Sequence, residues 1–350
     1  MASKNEDFQF VNIARGIAII LVVLGHTIIP QMRQMSLPAK YIYDFIYSFH
    51  MALFAMLSGF LFEQGLIRYE NKGMAIFIKD KGLTLLLPYL SFSIISYIGI
   101  NAAMLIPKLA SILERSGYSP STLLSAVFEI LTYENHIDKH LWFIYSLFIV
   151  FLISYPFRRL TKKPIMIVII FILYVLLHNS NCPVIIDLAI FLLIFFTFAR
   201  HIHLLDKLTD NRIKTAIYGI ILVSIFIFYS NSTITIFGLR YFIRLILQIA
   251  GSLFCIGIAR LLTKTKIAEA FKFLSGYTYI IYLLHQPFIT SGIGGILISM
   301  TTLPYYIICV ITLIAGIGLP IIIYEYIIKR SSILKLILLG IVPRHSSEGV

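Results

Sequence analysis

Residues 10–30 read FVNIARGIAIILVVLGHTIIP, and Arg15 and His26 are the only ionisable side chains in that run. About twenty predominantly apolar residues suffice to cross a bilayer as a helix. Runs of this kind recur along the whole 350-residue chain, which is 59% hydrophobic and only 13% charged, with mean hydropathy +0.91. A soluble domain carries about 25% charged residues. Inside lipid, only helices and closed barrels satisfy every backbone group. Barrel strands alternate apolar and polar residues, whereas these runs are continuous. The expected fold is therefore all-α and polytopic, a single transmembrane domain over residues 1–350.

The apolar runs place about ten transmembrane helices at residues 10–30, 41–62, 83–106, 140–157, 164–181, 183–199, 213–230, 239–260, 274–298 and 304–328. Lys and Arg in the connecting loops set orientation. With the N-terminus inside, 22 of the 29 basic residues, Lys4 and Arg344 among them, fall in inner segments and 7 in outer ones. Both termini are thus expected to be cytoplasmic, in a multi-pass protein of the cell (plasma or inner) membrane. The net charge of +13 reads as inner loops, and nucleic acid is not an expected partner. MASKNEDFQF, at residues 1–10, lacks the basic region and cleavage site of a signal peptide, so the first run is read as a retained helix. The longest outer connection, about 107–139, holds an expected amphipathic helix from Ser121 to Tyr133, after Pro120. Cys182, Cys255 and Cys309 have neither disulfide nor metal-ligand spacing. His201 and His203 sit among basic loop residues, and no metal is expected.

An ionisable group at mid-bilayer costs about 2.5–3.5 kcal/mol or more, so each such residue is a functional candidate. Arg15 and His26 are eleven residues apart, roughly 20° beyond three full turns, which puts both on one helix face about 16 Å apart. Gly16 and Gly25, beside them, permit close approach of a neighbouring helix or a substrate. The second run contains His50, with Asp44 at its outer edge and the small pair Ser58-Gly59 further in. Lys79 and Lys81 stand at the inner mouth before the third run, where they anchor the helix or receive an anionic ligand. Trp142, the only tryptophan, opens the fourth run, as interfacial aromatic residues do. In the ninth, His285 precedes Gln286-Pro287, a sequence that interrupts helical bonding. Arg240 and Arg244, one turn apart, would hold an anionic acceptor or a lipid headgroup. The Walker loop, GxSxG, HExxH and CxxC patterns are absent.

Together these segments resemble the membrane-bound acyltransferase 3 family, nearest to its fucose 4-O-acetylase-like branch. The likeness lies in Arg15-x10-His26, FIYSFHMALFAMLSGFLF, the Lys-rich segment before LLLPYL, HLWFIYSLF and YIIYLLHQPF, in that order over most of the chain. It implies an O-acyltransferase that takes acetyl-CoA or another acyl-CoA as co-substrate, with no permanently bound cofactor. The implied acceptor is a hydroxyl of a cell-surface polysaccharide or its lipid-linked precursor. It also implies that His26 is the essential catalytic residue, with Arg15 beside it. His50, Trp142, His285, Arg240 and Arg244 are the candidate substrate contacts, and Lys79 and Lys81 the candidate CoA contacts. Relatives carry Arg or Lys immediately before the LLxPY-like segment, whereas Leu83 and Thr84 stand there in this chain. The alternative from another class is a polysaccharide or lipid-linked glycan exporter; inverted repeats would favour it, and the sequence shows none. Membrane lipids surround either protein, and the sequence leaves homo-oligomerisation open.

Overall fold

The computed structural model describes residues 8–69, 72–115, 118–119, 122–133 and 138–342. Lys4, Arg344, Pro120 and Ser121 lie outside the described residues. The fold is 83% helix, and no strand occurs among the described residues. Each of the ten apolar runs is helical, the second divided at Ser48-Phe49 into Leu37–Tyr47 and His50–Gly65 and the ninth continuing into a π segment. Their main helices are α1 (Gln9–Thr27), α2 (His50–Gly65), α3 (Leu87–Met104), α4 (Trp142–Ser154) and α5 (Ile165–His178). They continue with α6 (Val184–Ala199), α7 (Arg212–Asn231), α8 (Leu239–Leu262), α9 (Ile267–Leu284) and α10 (Tyr305–Tyr326).

Among the described residues, seven helical stretches are long and apolar enough to span a membrane. An eighth is added if α6 and the helix Ile202–Leu208, bent by 78° at their junction, form one span. The shorter α4, α5 and α6 have 13, 14 and 16 residues. At about 1.5 Å per residue they reach roughly 20–24 Å, less than the ~30 Å hydrocarbon core. Much of α6 is enclosed by protein: Leu192, Phe195 and Phe196 are fully buried.

The first helix is the centre of the bundle. It packs against α9, α8, α2 and α10, and Ile13, Ala14, Ala18, Ile19 and Val23 have no exposed surface. In lipid, helices gain from close van der Waals approach, for which small residues are needed. A Cβ on Gly16 would stand 2.3 Å from the Phe271 carbonyl oxygen, so α1 and α9 touch backbone to backbone there. Gly59 plays the same part between α2 and α6, where a Cβ would meet the Phe196 carbonyl at 2.1 Å. The periphery is apolar in turn: Ile94 and Ile98 of α3 and Ile220 and Ile227 of α7 are exposed, as a lipid-facing surface requires.

Three local features position the site. Beyond α9 the chain widens into a π segment, His285–Ile293, with Gln286 in an extended conformation. Pro287 has no N–H to donate, and the Thr290 hydroxyl donates to the His285 carbonyl at 3.0 Å instead. In the 107–139 connection a helix runs over Leu123–Thr132, capped by Thr122 and ended by Tyr133 at φ 59°. Its outward residues Leu124, Val127, Phe128 and Leu131 are apolar, a face that suits lipid. At the other end of the bundle, Arg200 is almost fully enclosed and donates to Glu63 at 2.9 Å and to Thr161. Lys162 completes the ion-pair cluster on Glu63.

Candidate active site

The C-terminal end of α1 forms part of the wall of a cavity of ≈ 530 Å³, which His26 lines. Two further histidine rings pack around it. The His26 ring lies 5.0 Å from His285 and 6.3 Å from His140, and His140 lies 5.0 Å from His285. Three elements converge to do this: the end of α1, the short turn Lys139–Leu141 that leads into α4, and the π segment after α9. Tyr47 adds a hydroxyl 3.4 Å from the His26 ring nitrogens.

Local bonding fixes how each ring is used. His285, fully buried, donates from Nδ1 to the Tyr282 carbonyl at 2.8 Å. That leaves Nε2 as its acceptor nitrogen, without a partner among the described residues. His50 likewise uses Nδ1 on the Ile46 carbonyl at 2.8 Å, and its ring packs 4.7 Å from Tyr47. His140 Nδ1 stands 2.5 Å from Asp138 Oδ1, with side-chain exposures of 3% and 1%. Asp138 Oδ2 accepts from Ser96 Oγ at 2.5 Å, and the Tyr282 hydroxyl donates to the His140 carbonyl. A buried carboxylate against one ring nitrogen orients the imidazole and leaves the other nitrogen for chemistry. His140 Nε2 has no hydrogen-bond partner among the described residues.

Tyr118 reaches the same cavity from the 107–139 connection. Burial, with Asp138 nearby, pushes its hydroxyl well above the usual tyrosine range, so it stays a neutral donor. On the opposite flank His178 Nδ1 pairs with Asp187 Oδ2 at 2.9 Å. Both line the cavity, as does Arg244.

The expected site residues divide into two groups. His26, His50, Trp142 and Arg244 line one cavity, and His285 packs directly against His26. The others lie elsewhere. Arg15 shares its helix with His26 but does not line this cavity. It is half-buried and makes no ion pair with a described residue. Arg240 donates to the Tyr229 hydroxyl at 3.2 Å, outside the cavity. Lys79 is exposed, and Lys81 lies 4.3 Å over the Phe151 ring. Phe151 is eleven residues along the chain from His140, about 16 Å by helical rise, so Lys81 stands near the other end of α4.

Asp138, His140, Tyr47, His178 and Asp187 escaped the sequence reading. The signal for the first two was an Asp-x-His immediately before an apolar run, overshadowed by the tryptophan two residues on. Among the described residues no group of three or more His, Cys, Asp or Glu side chains is arranged to hold a metal ion.

A family model described as an acyltransferase domain matches residues 8–324, most of the chain. No curated protein and no solved structure matches it.

Proposed function

The chain belongs to the acyltransferase 3 family, and from that premise we propose that it is an O-acetyltransferase of that family's fucose 4-O-acetylase-like branch. It moves acetyl from acetyl-CoA to a hydroxyl of a cell-surface polysaccharide or its lipid-linked precursor. The proposal includes ten spans, both termini in the cytoplasm and residence in the cell membrane, for which the loop charge bias of 22 to 7 is the support. In that orientation the His26 cavity opens towards the outer side, and Arg15, Lys79 and Lys81 face the cytoplasm, where CoA phosphates would meet them.

The observation that carries the reading is the pairing of His26 with the Asp138-backed His140 across 6.3 Å of one cavity wall. Both rings line the cavity, so a reacting carbonyl bound in it can meet both. His26 takes the proton of the acceptor hydroxyl as its oxygen attacks the thioester carbon. The carbonyl electron pair moves onto oxygen, where His140, held in place by Asp138, donates from Nε2 to the oxyanion. The Tyr47 hydroxyl is a second donor close by. Collapse of the tetrahedral intermediate re-forms the carbonyl and breaks the C–S bond. The CoA thiolate then recovers the proton held on His26.

Mass spectrometry of surface glycans from cells with and without the protein tests the proposal. Loss of an acetyl increment from one glycan on deletion, restored by the wild type, is the expected result. Unchanged acetylation, with glycan instead missing from the surface, would overturn acyl transfer in favour of export.

A further inference from the structure

The cavity carries charges that acyl transfer to a neutral sugar does not use. Three cationic side chains line it, Arg33, Lys139 and Arg244, against two carboxylates, Asp138 and Asp187. Both carboxylates are already engaged: Asp138 with Ser96 and His140, Asp187 with His178. The two guanidinium groups take part in no ion pair among the described residues.

The Arg33 guanidinium carbon lies over the Tyr43 ring, 3.9 Å from its centroid. Stacking occupies the face of a guanidinium and leaves its N–H edge for a planar anion. Its Nε is buried and has no hydrogen-bond partner among the described residues. A buried, ionised donor left unpaired is expensive, and an oxyanion is the group that satisfies it best. Arg244 lines the same cavity, in the company of Tyr174 and the His178–Asp187 pair. Tyr47 and Trp142 add aromatic rings to the same cavity, rings on which the C–H face of a sugar packs.

We propose that Arg33 and Arg244 form an oxyanion subsite, so that the acceptor is an anionic saccharide whose negative group anchors it while a hydroxyl meets His26. The inference deepens the acyl-transfer reading and rests on it for the role of His26. The anion has two chemical sources: a phosphate joining the saccharide to a lipid carrier, or a carboxylate on an acidic sugar.

The test is equilibrium binding to the full chain in lipid nanodiscs. The probes are dodecyl diphosphate-linked N-acetylglucosamine, trigalacturonate, neutral maltotriose and CoA. One anionic saccharide should bind, weakening by about tenfold or more for each of Arg33→Gln and Arg244→Gln and weakening with added salt. The diphosphate arm binding assigns a lipid-linked acceptor, and the trigalacturonate arm an acidic glycan. Arg244→Gln alone is sufficient if Arg33→Gln fails to accumulate, because Arg244 is exposed. The subsite is overturned if neither anion binds, if maltotriose binds equally well, or if the arginine variants leave anion binding unchanged. Weakened CoA binding in those variants also overturns it, since the cations would then serve the donor. His26→Ala separates the two claims. Anion binding retained with transfer abolished supports both, whereas transfer retained sinks the catalytic reading and leaves the binding result standing.

Discussion

Asp138→Asn isolates the part of the site that the sequence did not reveal. The Asp138 carboxylate stands 2.5 Å from His140 Nδ1 with both side chains almost wholly enclosed. At that separation the carboxylate is the group that fixes the ring's position and orientation. Asparagine keeps the shape and can still bond to Ser96, but it no longer holds the ring as the carboxylate does. His140 Nε2 is then no longer a fixed donor to the oxyanion. Removing one oxyanion donor typically costs about 10²–10³ in kcat, and that is the expected loss here, with KM for acetyl-CoA unchanged. The assay is transfer of radiolabelled acetyl from acetyl-CoA to the native glycan acceptor by purified protein in nanodiscs. A thermal unfolding curve on the same sample shows that the variant is folded. A folded Asp138→Asn protein with kcat within about threefold of wild type would refute the oxyanion role.

Other consequences concern packing and the second charged cluster. Gly16→Ala drives a Cβ to 2.3 Å from the Phe271 carbonyl and should cost about 1–3 kcal/mol, read as a lower unfolding temperature. Gly276→Ala, on the same helix as Phe271 but with open space around its Cβ, should instead gain about 0.5–1 kcal/mol; equal effects at the two positions would contradict the backbone contact between α1 and α9. Glu63→Gln leaves Arg200, 1% exposed, without its carboxylate and should destabilise by about 3–5 kcal/mol. Pairing it with Arg200→Met should recover much of that loss, a coupling measurable by a double-mutant cycle.

The helical, membrane-spanning character was legible because lipid forbids the alternatives: all ten apolar runs are helices. Their lengths were harder to read. Hydropathy averages over a window and does not register that α4 and α5 stop at Ser154 and His178, after 13 and 14 residues. His26 could be picked out for the same reason the fold could, since an ionisable residue deep in an apolar run has no cheap explanation. Asp138 and His140 sit at the edge of a run, where polar residues are ordinary, and only the fold brings them to His26. Helical periodicity put Arg15 and His26 on one face, yet the cavity occupies one end of the bundle and takes only His26. Arg240 and Arg244 were indistinguishable by spacing. One turn of α8 sends Arg240 to Tyr229 and Arg244 to the cavity.

The claim on which the rest depends is that His26 performs acyl transfer. Purified protein in nanodiscs, supplied with labelled acetyl-CoA and native acceptor, measures it directly. Label in the glycan with wild-type protein, and none above background with a folded His26→Ala variant, is the expected result. Wild-type rates of transfer in that variant would contradict it.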